Sequence, residues 1–311
     1  MKKLLLTLVV LSTVSLFVGV ANMTPQQLFS GDEKALALFF TSRIPRLFAI
    51  LLAGAGLSIA GLLMQQISQN RFAAPSTTGT IECAMLGYVL SVVFFGNDNH
   101  LWLVFGISVF GTLVFIFFIQ HIQFKSVVFV PLVGIIFGNV IQSMTTFIAY
   151  KYDALQSLNA WTVANFANIL RGDFELLYIA VPMVILSYLF AARISAVGIG
   201  KDFAINLGLN YQQVVTIGVL LVSIMSASVV MIVGQLPFLG LIVPSLVSHF
   251  YGDNLKKNIP LTAMYGAILV LCCDLVSRLI IFPHEMPISI VISILGGVIF
   301  IAMLLRGQQH A

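Results

Sequence analysis

Apolar residues run along this chain in long unbroken blocks separated by short polar stretches. The blocks are about 18–25 residues long, the length that crosses a bilayer as a helix. The strands of a membrane barrel would instead alternate polar and apolar positions over about 10 residues, and no such alternation is present. The pattern predicts helices near 4–22, 44–67, 79–96, 101–120, 127–150, 175–194, 212–233, 237–251, 260–282 and 287–305. The run at 237–251 is short and follows Leu236-Pro237, so a full crossing there stays open. The more polar stretch 154-ALQSLNAWTVANF-166 predicts a short helix lying at the surface. No linker and no repeat divides the chain, which reads as a single domain over 1–311.

Composition fixes the solvent. Only 8% of the 311 residues are charged and 59% are hydrophobic, where a soluble domain carries roughly 25% charged residues. In lipid every backbone polar group must pair within the protein. The expected fold is therefore an all-α polytopic membrane protein with about ten transmembrane helices. Met1-Lys2-Lys3 and the apolar run behind it resemble a signal peptide. However, Val20-Ala21-Asn22 is a poor small-x-small cleavage site and the run is long, so an uncleaved first helix is expected. Cys83, Cys272 and Cys273 fall inside apolar runs with no metal-ligand spacing and read as buried, inert thiols. No nucleic-acid partner is expected.

Charge sets the orientation. With Lys2 and Lys3 inside and ten crossings, both termini are cytoplasmic. Nine basic residues (Lys2, Lys3, Arg71, Lys125, Arg193, Lys201, Lys256, Lys257, Arg306) then lie at inner ends and six (Lys34, Arg43, Arg46, Lys151, Arg171, Arg278) at outer ends. This is a mild positive-inside bias. It places 195–211 in the cytoplasm.

That segment holds Gly198-Ile199-Gly200-Lys201, which is not a nucleotide loop. A Walker loop needs four residues between its glycines and Ser or Thr after the lysine, launched from a strand. Here Asp202 follows, and the flanks are membrane helices. No other nucleotide motif is present, so any ATP is bound by another chain. Residues 202–213 predict a short amphipathic helix with Phe203, Leu207 and Leu209 on one side and Gly208 as a stop. Such a helix either skims lipid or docks a partner.

The stretch 42-SRIPRLFAILLAGAGLSIAGLLMQQISQNRFAAPSTTG-79 adds a second pattern. Its Ala53, Gly54, Gly56, Ser58 and Gly61 permit close helix packing. Arg43 and Arg46 stand at its outer end, where snorkelling to headgroups is one role open to them. The pattern resembles the FecCD-type permeases, the membrane subunits of ABC importers for ferric siderophores, haem and cobalamin. In those proteins R-x-P-R opens a glycine-rich second helix, which ends in Q, then N-P-L-A-x-P and a glycine.

The resemblance extends over nearly the whole chain. Ala204 to Gly208 matches A-x-x-L-G of the cytoplasmic coupling segment. Gly234 to Pro244 matches G-x-I-x-F-V-G-L-x-x-P. Gly252-Asp253, Lys256-Lys257 and Pro260 match G-x-D-H-R-x-x-x-P. Asp274 and Arg278 match A-D-x-x-x-R, and Glu285-Met286-Pro287 matches E-L-P. There are departures: Arg71-Phe72 replaces Pro-Leu, Glu82-Cys83 replaces small residues, Ser289 replaces a glycine and Val298 a proline. The changes near 70–83 are similar to a subgroup linked to catecholate siderophores such as petrobactin or vibriobactin. A carboxylate at Glu82 inside the membrane calls for a partner.

The resemblance implies a type II ABC importer permease bundle in the cytoplasmic (inner) membrane. It implies three partners: ABC ATPase subunits carrying ATP and Mg, a periplasmic or lipoprotein substrate-binding protein, and a second permease subunit. No cofactor is expected in this chain, and no catalysis. The ATPase would grip the segment 195–211 through Lys201, Asp202, Phe203, Ala204, Leu207 and Gly208. The substrate-binding protein would meet Arg43, Arg46 and Arg278. In the fifth span Gly134, Gly138, Asn139, Gln142, Thr145 and Thr146 recur at helical spacing. They are either a small-residue helix contact or, as the resemblance implies, the wall of the translocation pathway. Two other functions stay open. Glu82 and Asp274 suit an ion-coupled secondary transporter, although Asp274 also forms an i, i+4 pair with Arg278. Haem or cobalamin is the alternative cargo. A membrane enzyme is disfavoured, since no metal-protease motif or activated nucleophile is present.

Overall fold

The computed structural model describes residues 1–19, 24–96, 101–121, 129–172 and 174–307. Lys125 and the Val20–Asn22 stretch lie outside the described residues. Each of the ten apolar runs carries a helix: α1 (Lys2–Phe17), α4 (Ile44–Ile67), α5 (Thr80–Phe95), α6 (Leu101–His121), α7 (Phe129–Lys151), α9 (Ala180–Ile199), α11 (Tyr211–Val233), α12 (Leu239–Tyr251), α13 (Leu255–Leu279) and α14 (Ile288–Gly307). Short helices fill the connections: α2 (Pro25–Phe29), α3 (Glu33–Leu38), α8 (Leu155–Thr162) and α10 (Lys201–Asn206). Among the described residues, six helical stretches are long and apolar enough to cross a membrane.

α4 is the hub. It packs against α9, α11, α12 and α13, and it is buried on nearly every side, as its continuous apolar sequence requires. Two glycines make this possible. A β-carbon at Gly54 would stand 2.7 Å from the Gly266 carbonyl of α13, and one at Gly61 would run into the Gly240 backbone of α12. The small residues of the sequence pattern are therefore backbone-to-backbone contacts. On either side of this seam lie the main apolar clusters, one around Ile50, Phe166, Leu177 and Leu239, the other around Leu63, Met64, Ile194 and Met225.

α12 is 13 residues long. At 1.5 Å per residue that is about 20 Å, against about 30 Å of hydrocarbon, so α12 alone does not cross. The chain before it is extended from Gly234, and residues 162–165 close the gap. Asn165 N–H donates to Val233 (3.1 Å) and Gln235 N–H to Thr162 (3.0 Å). The predicted surface helix at 154–166 is thus only half right. α8 does expose one face, but Ala164, Phe166, Ile169 and Phe174 behind it are core residues. The reason is the broken 234–238 backbone, whose polar groups need partners at that depth.

The connector from α4 to α5 also runs inside the bundle. The Gln65 amide nitrogen lies within reach of the carbonyls of Arg71 (2.7 Å) and Leu241 (3.1 Å) and of the Ser245 hydroxyl (3.1 Å). At the start of α5, the Thr80 hydroxyl lies 2.6 Å from Thr78, 3.0 Å from Thr112 of α6 and 3.1 Å from Ser223 of α11. α5 consequently begins beside the middle of α11.

Candidate functional site

Three groups of residues from the sequence occupy three places in the bundle: α10 at one end, the arginines at the other, and α7 between them.

α10 ends in a defined cap. Gly208 has φ 75°, the left-handed conformation that glycine adopts without strain. Its N–H donates to Ile205 (2.8 Å), and Leu209 N–H donates to Ala204 (3.1 Å). This pair of bonds is the Schellman motif. The A-x-x-L-G pattern now has a physical meaning: Ala204 is the buried acceptor, Gly208 the left-handed residue, and Leu209 packs back on the core. The chain then restarts at once, with Asn210 capping α11 through Gln213 N–H (3.1 Å). The outward residues are apolar. Phe203 is 43% exposed and Leu207 59%, flanked by exposed Lys201 and Asp202. Ala204, grouped with them in the sequence reading, points inward and is fully buried.

The arginines are not displayed at an open mouth. Arg43, Arg46 and Arg278 are only 7%, 6% and 2% exposed. Arg46 pairs with Asp274 (2.7 Å) and Glu285 (2.7 Å), and Arg278 pairs with the other oxygen of Asp274. Arg278 also donates to the carbonyls of Ser15 (2.9 Å) and Val18 (2.8 Å), and Arg43 donates to Val18 (2.6 Å). These are the last carbonyls of α1, which have no partner inside their own helix. Guanidinium groups suit that negative helix end. Three motifs that are far apart in sequence, R-x-P-R, D-x-x-x-R and E-x-P, meet in this one network. The expectation that these arginines face a partner or lipid headgroups is therefore corrected for this conformation. Their charge is consumed by Asp274, Glu285 and the end of α1. The i, i+4 pair of Asp274 with Arg278 is present as expected.

α7 carries two lines rather than one face. Gly134, Gly138, Thr145 and Ala149 are buried, against α5 and the connector. A β-carbon at Gly134 would stand 3.2 Å from Phe115 and would run into the Thr77 carbonyl; one at Gly138 would stand 3.2 Å from the Glu82 carboxyl. Asn139, Gln142, Ser143 and Thr146 are exposed, at i, i+3, i+4 and i+7 of the helix. Ser143 and Thr146 donate within the helix, to Asn139 (2.8 Å) and Gln142 (2.9 Å), so the two amides are the open polar groups. The single predicted face thus divides. The glycines and Thr145 make a helix contact, and Asn139, Gln142 and Thr146 form a polar stripe on a membrane-length helix. A polar stripe against lipid is costly, so it faces protein or water.

One residue gained importance only from the structure, and a second, already singled out in the sequence, gained a defined environment. Gln65, quoted in the sequence merely as the end of a motif, clamps the connector to α12. Glu82 finds no hydrogen-bond partner for its buried Oε2 among the described residues. No group of metal-ligating side chains occurs among the described residues.

A membrane-embedded helical bundle with a short capped helix projecting from one end defines a transport permease more readily than an enzyme. The chain matches the FecCD transport family over residues 6–306 and belongs to it. It is 41% identical to the petrobactin import system permease protein YclN of Bacillus subtilis, covering 100% of this chain and 99% of that one. It is 37% identical to the ferric-anguibactin transport system permease protein FatD of Vibrio anguillarum, with 99% of each chain covered. Among solved structures, a metal-chelate type ABC transporter in an inward-facing conformation superimposes with a TM-score of 0.85 at 25% identity over 98% of each chain. PsaBC of Streptococcus pneumoniae shares the fold, with a TM-score of 0.60 at 15% identity over 90% of this chain and 95% of that one.

Proposed function

We propose that this chain is the membrane-spanning permease of an ABC importer that carries a ferric siderophore of catecholate type inward across the cytoplasmic membrane. Two copies, or one copy and a related permease, enclose the pathway, and the polar stripe of α7 lines it. Uncharged amides and hydroxyls hydrogen-bond a polar chelate without holding it as an opposite charge would. An ATPase partner binds ATP and Mg and grips α10 through Phe203 and Leu207. A substrate-binding protein delivers the chelate at the end that holds the arginine network. ATP binding and hydrolysis move α10, and with it α11, so that the bundle exchanges outward for inward access. Each partner drives the exchange only as far as it prefers one state.

The observation that carries this reading is the exposed polar stripe of α7, on a chain similar over its whole length to siderophore permeases. Asp274, one of the two carboxylates an ion-coupled mechanism would need, is already held between two guanidinium groups, which favours ATP as the energy source. The test is uptake of a ferric catecholate chelate into vesicles holding the permease, its ATPase and its binding protein. Uptake is expected to need ATP, to stop with vanadate and to persist with ionophores. Ionophore-sensitive, ATP-independent uptake would overturn it.

A further inference from the structure

Glu82 is an acid that the transport reading leaves unused. It lies in the third residue of α5, whose first residue touches Ser223 in the middle of α11. Its carboxyl rests on Gly138, near the middle of α7. This is mid-height on α7 and α11, both long and apolar enough to cross a membrane, where a carboxylate is expensive and calls for a partner. Neither an arginine nor a lysine pairs with it among the described residues, and its buried Oε2 accepts no hydrogen bond there.

Its surroundings point to a ligand. Gly138 leaves no side chain between the carboxyl and the α7 backbone. At about 100° per residue, Gln142 stands only about 40° around the helix from Gly138. Gln142 is also a member of the exposed polar stripe. The side chain of Glu82 is partly accessible while one oxygen is sealed. It thus faces the buried glycine line of α7, which adjoins the polar stripe around the helix.

We propose that Glu82 is a specificity-determining residue of the pathway that pairs with a protonated amine on the passing metal chelate. This rests on α7 lining the pathway, as inferred above. A carboxylate at this depth gains its missing partner only while such a substrate is present, and a chelate without a cationic group leaves it unpaired. Gly138 matters because even a β-carbon there would stand 3.2 Å from the carboxyl, which sits this close to the α7 backbone only beside a glycine.

The test compares two probes in ATP-driven vesicle uptake: a ferric tris-catecholate chelate bearing a free primary amine, and the same chelate N-acetylated. The wild-type protein is expected to favour the amine about tenfold in kcat/KM, equivalent to about 1.4 kcal/mol. Glu82→Gln, which keeps the shape and removes the charge, should reduce that ratio to about one by slowing only the amine-bearing chelate. Should this variant fail to assemble, Glu82→Asp, which keeps the charge but withdraws the carboxyl by one methylene, poses the same question. If the ratio survives, or if both chelates lose uptake alike, Glu82 is a packing residue and the proposal is overturned. A wild-type protein that transports both chelates equally overturns the site alone. One that transports neither overturns the substrate class as well.

Discussion

The two ends of the bundle use opposite chemistry. At the arginine end, five charged side chains turn inward, three guanidinium groups set against two carboxylates and the last carbonyls of α1. At the α10 end, apolar side chains turn outward beside a tightly capped turn. In the sequence both ends look like handles for partner proteins. In the structure the arginines are paired inward whereas α10 presents exposed apolar groups, and a surface waiting for a partner is read from that mismatch. The arginines are the opposite case, strongly charged and already paired, although the Nε of Arg278 has no partner among the described residues. A binding protein that contacts them directly must first exchange its own carboxylates for Asp274 or Glu285.

Breaking the arginine network gives the largest expected effect. Asp274→Ala removes the carboxylate shared by two buried guanidinium groups and leaves both underpaired. Removing one partner of a buried pair costs about 3–5 kcal/mol. We expect much reduced assembly in the membrane and a lower thermal midpoint in detergent. Little change would show that water or lipid phosphate already reaches these arginines.

α10 sharpens the contrast, because here the fold should survive. Phe203→Glu with Leu207→Glu alters exposed side chains, so the permease should keep its melting temperature yet lose its ATPase on co-purification. Interface anchors of this kind cost at least about 2 kcal/mol each when lost. Full co-purification of the double variant would remove α10 from the coupling interface. Ala204 is unsuited to this test, since a charge there would disrupt the core before it reached any partner.

The helices were legible from hydrophobic run length because lipid forces every span to satisfy its own backbone. The α10 cap was legible as A-x-x-L-G because a Schellman turn is local, with all its bonds inside six residues. What the sequence hid was long-range. Arg46 meets Asp274 across 228 positions, and nothing local distinguishes an arginine that snorkels from one that pairs. Similarly, the stripe on α7 read as one face because Gly138 and Gln142 are one turn apart. Only the packing of α5 decides that the first is covered and the second is not. The end of the 154–166 stretch looked superficial because the stretch is polar in composition. Its burial follows from the break at Gly234, which no periodicity in 154–166 could report.

Gly208→Ala tests the cap itself, at smaller scale. An alanine in the left-handed region costs about 1–2 kcal/mol. The loss would fall on the junction of α10 with α11 and leave the rest of the bundle intact. ATPase affinity is expected to weaken several-fold, with a thermal midpoint close to that of the parent protein. An unchanged affinity would mean that the turn is not held rigid in the complex.

The smallest effect is expected where a charge pair is neither buried nor at odds with its setting. Arg71 pairs with Asp253 at 2.9 Å, and both side chains are well exposed. Solvent screens such a pair, and exposed salt bridges contribute between about 0 and 1 kcal/mol. Arg71 nevertheless sits in the connector that Gln65 clamps. The clamp uses the carbonyl of Arg71, not its side chain. Arg71→Ala should therefore leave stability and uptake near those of the parent protein, whereas Gln65→Ala, which removes the clamp, should impair both. If Arg71→Ala proves as damaging as Asp274→Ala, the rule that separates the two ends, burial with mutual neutralisation against exposure with screening, does not govern this protein.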